Sequence, residues 1–230
     1  SGEVNDPESG PQPFSEANVA ADRDNILTYY FNRGYPSTSF DWSYQETGEP
    51  GRVNLRFTVN EGPRLFVREV LPRGLVTTRP QVVSKRITLH PGDPISQADL
   101  LETQRRLYEL GIFAKVDTVL QNPEGEERNK FVLLQVEESR KYSLAFGFGA
   151  ELARIGGSRT SLEAPAGQPG FSPRVSFDVS RINFLGRAHS ISLRSRASNL
   201  QQRALISYSA PQAFGSRKLD LTFTTMFDAS

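Results

Sequence analysis

The order of apolar and polar positions changes character along the chain. In the first stretch Val19, Ile26, Leu27 and Tyr30 fall on one face at helical spacing. Ser15 stands where a cap belongs and Gly34 where a left-handed stop belongs, which predicts a helix from about Ser15 to Arg33. Period-two stretches follow. Residues 38–46 put Phe40, Trp42 and Tyr44 on one face, and residues 53–59 alternate Val53, Leu55, Phe57 and Val59 with polar neighbours, so both read as strands, with Gly48 to Gly51 as the turn between them. Residues 65–70 read as a short strand. Thr77 or Thr78, with Pro80, starts a helix carrying Val82, Val83 and Ile87, which Pro91-Gly92-Asp93-Pro94 breaks. Ser96 and Asp99 form a capping-box pattern ahead of a second helix with Leu100, Leu107 and Tyr108, stopped at Gly111. Strands at about 113–121 and 130–137, joined by a polar turn, complete the segment. Leu100, Leu107, Phe113, Val132 and Leu134 are its expected core, as are Phe40, Trp42 and Tyr44 earlier on.

From Lys141 only strands remain. Tyr142, Leu144, Phe146 and Phe148 share one face, and Ser143, Ala145, Gly147 and Gly149 the other. Four more alternating stretches follow around 174–180, 190–196, 203–209 and 218–228, each with a greasy face and a polar, mostly cationic one. Strands of about nine to twelve residues are long for a soluble sheet and suit a tilted bilayer crossing. Five or six strands are fewer than the roughly eight of the smallest closed barrel, so a membrane reading makes this the beginning of one. The connection at 152–172 is long and rich in Gly and Pro; the one at 183–186 is tight.

An internal repeat links the first two segments. Tyr30, Gly34, Val59 and Glu61 recur as Leu107, Gly111, Val136 and Glu138, each 77 positions later. The second copy has the order β-α-α-β-β. The first has no room for its opening strand and helix before Phe14, and residues 1–13 read as a loop. Three modules result: 1–62, 63–139 and 140–230.

Composition sharpens this division. The 230 residues carry a formal charge of +1, which hides three unlike thirds: −6 over 1–62, 0 over 63–139 and +7 over 140–230. Four basic residues of the last third, Arg174, Arg194, Arg196 and Arg203, alternate with greasy positions instead of clustering with exposed aromatics, which points to a wet lumen rather than to nucleic acid. With no cysteine, disulfide frameworks, thiolate metal sites and cysteine nucleophiles are out. The longest apolar run is Phe131 to Leu134, far short of the roughly 20 residues of a transmembrane helix.

Catalytic material is sparse. His90 and His189 stand on different modules, one beside a turn and one on a strand. No nucleophile-elbow, phosphate-loop or zinc-protease spacing occurs. Gly147-Phe148-Gly149 lacks the third glycine of a dinucleotide loop and sits inside an alternating strand. Glu137, Glu138 and Arg140 read as a salt-bridged hinge. No enzyme activity and no cofactor are expected.

Several runs carry a family resemblance. Arg105-Arg106-Leu107-Tyr108-Glu109-Leu110-Gly111-Ile112-Phe113 followed by Val116, and the run from Asp24 to Tyr35, resemble the end of the second helix of polypeptide-transport-associated (POTRA) domains. Residues 142–151 resemble a Gly-rich first barrel strand, Asn183-Phe184-Leu185-Gly186 the turn after the second strand, and Tyr208 to Pro211 the end of the fourth. Together they resemble the last POTRA domains and first barrel strands of outer-membrane assembly factors of the BamA and TamA type. The resemblance implies an α+β fold of POTRA domains, followed by the antiparallel strands of an incomplete outer-membrane β-barrel. It implies insertion of β-barrel proteins into a bacterial outer membrane, with POTRA domains in the periplasm receiving unfolded outer-membrane proteins and accessory periplasmic or lipoprotein subunits. The lipid bilayer would meet residues 140–230. Phe40, Asp41, Trp42, Ser43 and Tyr44 would form an edge strand able to pair with client backbone. Tyr142, Leu144, Phe146, Gly147, Phe148 and Gly149 would line the lateral seam. The rival readings are a two-partner secretion transporter, which serves one dedicated protein, and a structural periplasmic or outer-membrane β protein.

Overall fold

A computed structural model describes residues 14–48, 52–155, 168–199, 201–212 and 219–229, with the backbone alone for 151–155 and 168–169. The expected loop at 1–13, the turn residues 49–51 and the middle of the long connection lie outside these residues. Helix α1 (Glu16–Phe31) starts where the Ser15 hydroxyl accepts from the Ala17 amide at 3.2 Å, and it ends before Gly34 at φ +92°. Strands β1 (Ser39–Glu46) and β2 (Val53–Asn60) pair antiparallel, with Trp42 opposite Phe57 and Tyr44 opposite Leu55.

The repeat's second copy follows with β3 (Phe66–Arg73), α2 (Pro80–Ser84), α3 (Gln97–Tyr108), β4 (Phe113–Leu120) and β5 (Asn129–Glu138), its strands ordered β3-β5-β4. The Ser96 hydroxyl accepts from the Asp99 amide at 3.2 Å, so the cap of α3 forms as its pattern predicts. Gly111 stops it at φ +66°. Helix α2 is shorter than expected. It begins after Arg79, which occupies the cap position and makes no side-chain cap bond, while the Thr78 hydroxyl donates to Glu138; Ile87 lies beyond its end.

The last segment is a meander of β6 (Tyr142–Ile155), β7 (Gln168–Phe184), β8 (His189–Ser198), β9 (Gln202–Ala210) and β10 (Leu221–Ala229) in the order β10-β9-β8-β7-β6. The first two strands run further than the alternation indicated. Ladder pairs continue from Glu151 opposite Ser172 to Ile155 opposite Gln168, through Gly and Pro positions read as loop.

Two compact units emerge. One takes Ser1–Leu71, Thr88–Thr103 and Thr118–Leu133; the other takes Pro72–Ile87, Gln104–Asp117 and Leu134–Ser230. In the first, Leu65, Val67, Leu89, Ile95, Thr103 and Val132 are buried. Hydrogen bonds tie the repeat copies together there: the Leu65 amide donates to the Gly34 carbonyl at 2.7 Å, and the Ala98 amide to the side-chain Oδ1 of Asn32 at 2.9 Å. In the second unit, Val82, Val83, Leu107, Leu110, Ile112, Phe113, Val116, Leu134 and Val136 are buried. Of the expected core, Leu107, Phe113, Val132 and Leu134 are buried and Leu100 is half-buried. Phe40 is half-buried too, whereas Trp42 and Tyr44 depart from the expected core. Trp42 is 37% and Tyr44 53% exposed, because a two-stranded sheet with a single helix has too little mass to cover that face.

Candidate functional site

Three places expected or found to matter can be built from their residues. The first is β1. Among the described residues it pairs with β2 alone, so its other edge keeps free N–H and C=O groups. Phe40, Trp42 and Tyr44 line one face and Asp41 and Ser43 the other. Phe14 leans on Trp42 and Tyr44, with ring centroids 6.2 and 5.6 Å away, and Trp42 stacks on Tyr44. An aromatic platform therefore lies beside an open backbone edge.

The second is β6, at the other end of its sheet from β10 and paired with β7 alone among the described residues. Leu144 stands opposite Val179, Phe146 opposite Phe177 and Phe148 opposite Val175, and Phe146 and Phe177 touch at 5.1 Å between centroids. This face is bare: Tyr142, Leu144, Phe146 and Phe148 are 60–84% exposed, and Phe223 and Phe227 on β10 are also exposed. On the opposite face Gly147 leaves the space that the Ser176 hydroxyl fills, whereas nothing lies near a side chain added at Gly149. That face carries Ser143, Ser180, Ser192, Ser207 and Thr224 in one row across the sheet. Arg194 faces Asp178 across the ladder, and Arg203 pairs with Asp228 at 3.0 Å.

The third place was not read from the sequence. Glu138, expected in an ion pair with Arg140, instead ends β5 with its carboxylate turned to the segment before α2. It accepts from the amides of Val76, Thr77 and Thr78 and from the Thr78 hydroxyl, at 2.7–3.1 Å. Burial alone raises its pKa, but the Thr78 hydroxyl and these amides outweigh burial and bring it down to about 2. The network continues into the turn between β7 and β8. Asn183 Nδ2 donates to the Thr78 hydroxyl at 2.8 Å, and Asn183 Oδ1 accepts from the Ala188 amide at 3.1 Å. The Arg79 amide donates to the Gly186 carbonyl at 2.9 Å, and Arg79 Nε to the Leu185 carbonyl at 3.1 Å. Gly186 sits at φ +70° against the Thr77 carbonyl, so no side chain fits there. A second tie lies alongside: buried Arg86 donates through Nε to Gln212 Oε1 at 3.0 Å, and the Gln212 amide donates to Asp220 at 2.8 Å. The α2 segment is thus bolted to two turns at one end of the five-stranded sheet. The only advance signals were the recurrence of Glu61 as Glu138 and the Asn183–Gly186 turn; nothing in the sequence connected them.

His90 lies in a turn, its amide donating to Asp93 at 2.8 Å, and His189 meets the Tyr208 hydroxyl. Among the described residues no group of three or more His, Asp or Glu could hold a metal ion.

Comparisons with known proteins agree with this architecture. The POTRA family model, surface antigen variable number repeat, matches residues 6–62. An outer membrane protein assembly factor of Treponema pallidum is 24% identical over 180 residues, covering 78% of this chain and 20% of that protein. Outer membrane protein assembly factor BamA of Nitratidesulfovibrio vulgaris is 26% identical over 142 residues, covering 61% of this chain and 18% of that protein. The chain therefore spans about a fifth of the length of these relatives. Among solved structures, Haemophilus ducreyi BamA lacking POTRA domains 1–3 matches 96% of this chain and 38% of its own, with a TM-score of 0.73 at 19% identity. CdiB from Acinetobacter baumannii matches 95% of this chain and 36% of its own, with a TM-score of 0.50 at 14% identity. With a POTRA family match over residues 6–62 and an antiparallel sheet folded like part of the barrel of Haemophilus ducreyi BamA, the chain is similar to outer-membrane assembly factors of the BamA type.

Proposed function

We propose that the chain acts in the folding and insertion of β-barrel proteins into a bacterial outer membrane. Residues 1–62 serve as the C-terminal part of one POTRA domain and residues 63–139 as a complete one, both on the periplasmic side, and residues 140–230 as the first strands of a membrane barrel. The observation that carries this reading is the five-stranded sheet: one face with exposed apolar side chains, one polar face, and a first strand, directly after the α/β repeat, whose outer edge has no partner among the described residues. Such a sheet is stable where lipid covers the apolar face and further strands complete the pairing, and the same two forces drive client insertion. No fuel or cofactor enters. The open edge of β1, with Phe40, Asp41, Trp42, Ser43 and Tyr44, receives client backbone. Tyr142, Leu144, Phe146, Gly147, Phe148 and Gly149 on β6 form one side of the seam through which clients pass. Unfolded outer-membrane proteins and accessory periplasmic or lipoprotein subunits are the partners.

The likeness to CdiB favours a second reading, a transporter for one dedicated secreted protein. Depletion in cells separates the two. Assembly predicts that many unrelated barrel proteins vanish from the outer membrane together. Loss of one secreted protein alone, with the barrel proteome intact, would establish the transporter and overturn the assembly reading.

A further inference from the structure

We propose that Arg181, held between Tyr142 and Phe184 on the apolar face of the five-stranded sheet, is a binding site for the phosphate of a bilayer phospholipid. The site fixes the level of the headgroup layer on the side of the α/β repeat. The proposal rests on the reading of residues 140–230 as membrane strands.

Along β7 the apolar face shows Phe171, Val175, Phe177, Val179 and then Arg181. Among the described side chains of that face, Arg181 is the one permanent cation. Its guanidinium carbon lies 5.3 Å from the centre of the Tyr142 ring and 5.4 Å from that of Phe184. Tyr142 is its direct ladder partner. Phe184 reaches the same face because the ladder slips by one residue between Arg181 opposite Ile191 and Phe184 opposite His189; this bulge re-aims the ring. Arg181 Nε is buried and has no hydrogen-bond partner among the described residues.

A cation with an unpaired donor and two aromatic walls, on a face that is otherwise mostly apolar and carries no other described charge, is matched by an anion from outside the chain. Its place in the sheet says which. The row holding Arg181 runs from Tyr142 through Ile191 to Tyr208 and Phe223, next to the turns that bind the α2 segment. Aromatic rings in such a row mark a membrane interface, where an arginine costs about 0–1 kcal/mol against about 2–4 at the bilayer midplane. Spacing agrees. Ten residues of a strand at about 3.3 Å each, tilted by about 40°, climb roughly 25 Å, the height of an apolar band. Counted back from Arg181 that reaches Phe171, an exposed aromatic suited to the opposite interface. An arginine fork at the headgroup level meets phosphate oxygens in bidentate geometry.

The test uses the full-length gene product. In lipid vesicles, an environment-sensitive fluorophore on Phe146→Cys should be quenched by lipids brominated near the acyl midpoint. Absence of quenching would overturn the membrane reading and this proposal with it. In detergent micelles, native mass spectrometry should show phosphatidylglycerol retained about tenfold better than a phosphate-free galactolipid. Arg181→Gln should bring the two lipids level, and Arg181→Lys should keep most of the preference. Quenching at position 146 together with equal phosphatidylglycerol retention by wild type and Arg181→Gln would overturn the phosphate site and leave the membrane reading standing. If Arg181→Gln fails to fold, Tyr142→Ala, which removes one wall and leaves the charge, should weaken retention severalfold, and an unchanged value would count against the site.

Discussion

At the scale of single residues, Glu138 shows how one carboxylate can organise a joint. Three amides and a hydroxyl converge on it, and the same hydroxyl accepts from Asn183. The carboxylate of Glu61, its counterpart one repeat earlier, accepts from the Tyr30 hydroxyl at 3.1 Å. Glu138→Gln should cost about 1–3 kcal/mol at neutral pH, read by urea unfolding, because an amide serves four donors less well than a charge does. The pH dependence has a definite sign. The folded-state pKa of about 2 lies below the ordinary 4.5, so the carboxylate's contribution is complete above about pH 4.5 and fades as pH falls toward 2. Wild type and Glu138→Gln should therefore converge in stability across that window; a constant gap would show that the charge is not what holds the joint. Leu107 is a case of plain packing. With no exposed surface, Leu107→Ala should lose about 2–5 kcal/mol, and an unchanged melting temperature would contradict its place in the core.

Among the elements, β1 and β6 are alike in what they leave undone. Each has one partner among the described residues, and backbone groups on the far side remain open to a guest strand. Backbone pairing does not read side chains, which suits a surface that meets many sequences. A proline in β1, at a position whose N–H points away from β2, should abolish binding of extended outer-membrane-protein peptides. Swapping Asp41 or Ser43 should matter little. Amide shifts in an NMR titration report this directly, and a spectrum unmoved in residues 39–46 would remove β1 as the receiving edge. The aromatic platform of Phe14, Trp42 and Tyr44 changes what the sequence led one to expect of this strand: its greasy face is available as well as its edge.

For the molecule as a whole, the five-stranded sheet sets the solution behaviour. Among the described residues nothing covers its exposed apolar side chains or pairs with its two outer edges, so the 230-residue chain should need detergent or pair with another copy. A monodisperse, detergent-free monomer in sedimentation experiments would contradict the barrel reading. In a membrane, a cysteine replacing Leu144 should react with a lipid-phase thiol reagent and one replacing Ser143 with a water-soluble reagent. Ser143 is the better probe of the polar face than Gly147, whose missing side chain makes room for Ser176.

The sequence by itself determined the elements and their faces, because both are local. Ser15 and Ser96 cap their helices, Gly34 and Gly111 take the positive φ that ends them, and period-two alternation sorts every strand from Tyr142 onward into a greasy and a polar side. The repeat at 77 positions makes the kinship of the two copies legible, and the local periodicity gives the second its β-α-α-β-β order. Tertiary structure alone decided which polar groups meet. Thr78 was read as a helix cap and Glu138 as half of a surface ion pair, yet they bond to each other across 60 residues and to Asn183 across 105. Local pattern is blind to such a meeting, because a hydroxyl or a carboxylate has several short-range uses and the backbone path chooses among them. That Trp42 and Tyr44 are exposed while Phe40 is half-buried was likewise undecidable from alternation, which says that three side chains share a face but not whether anything covers it.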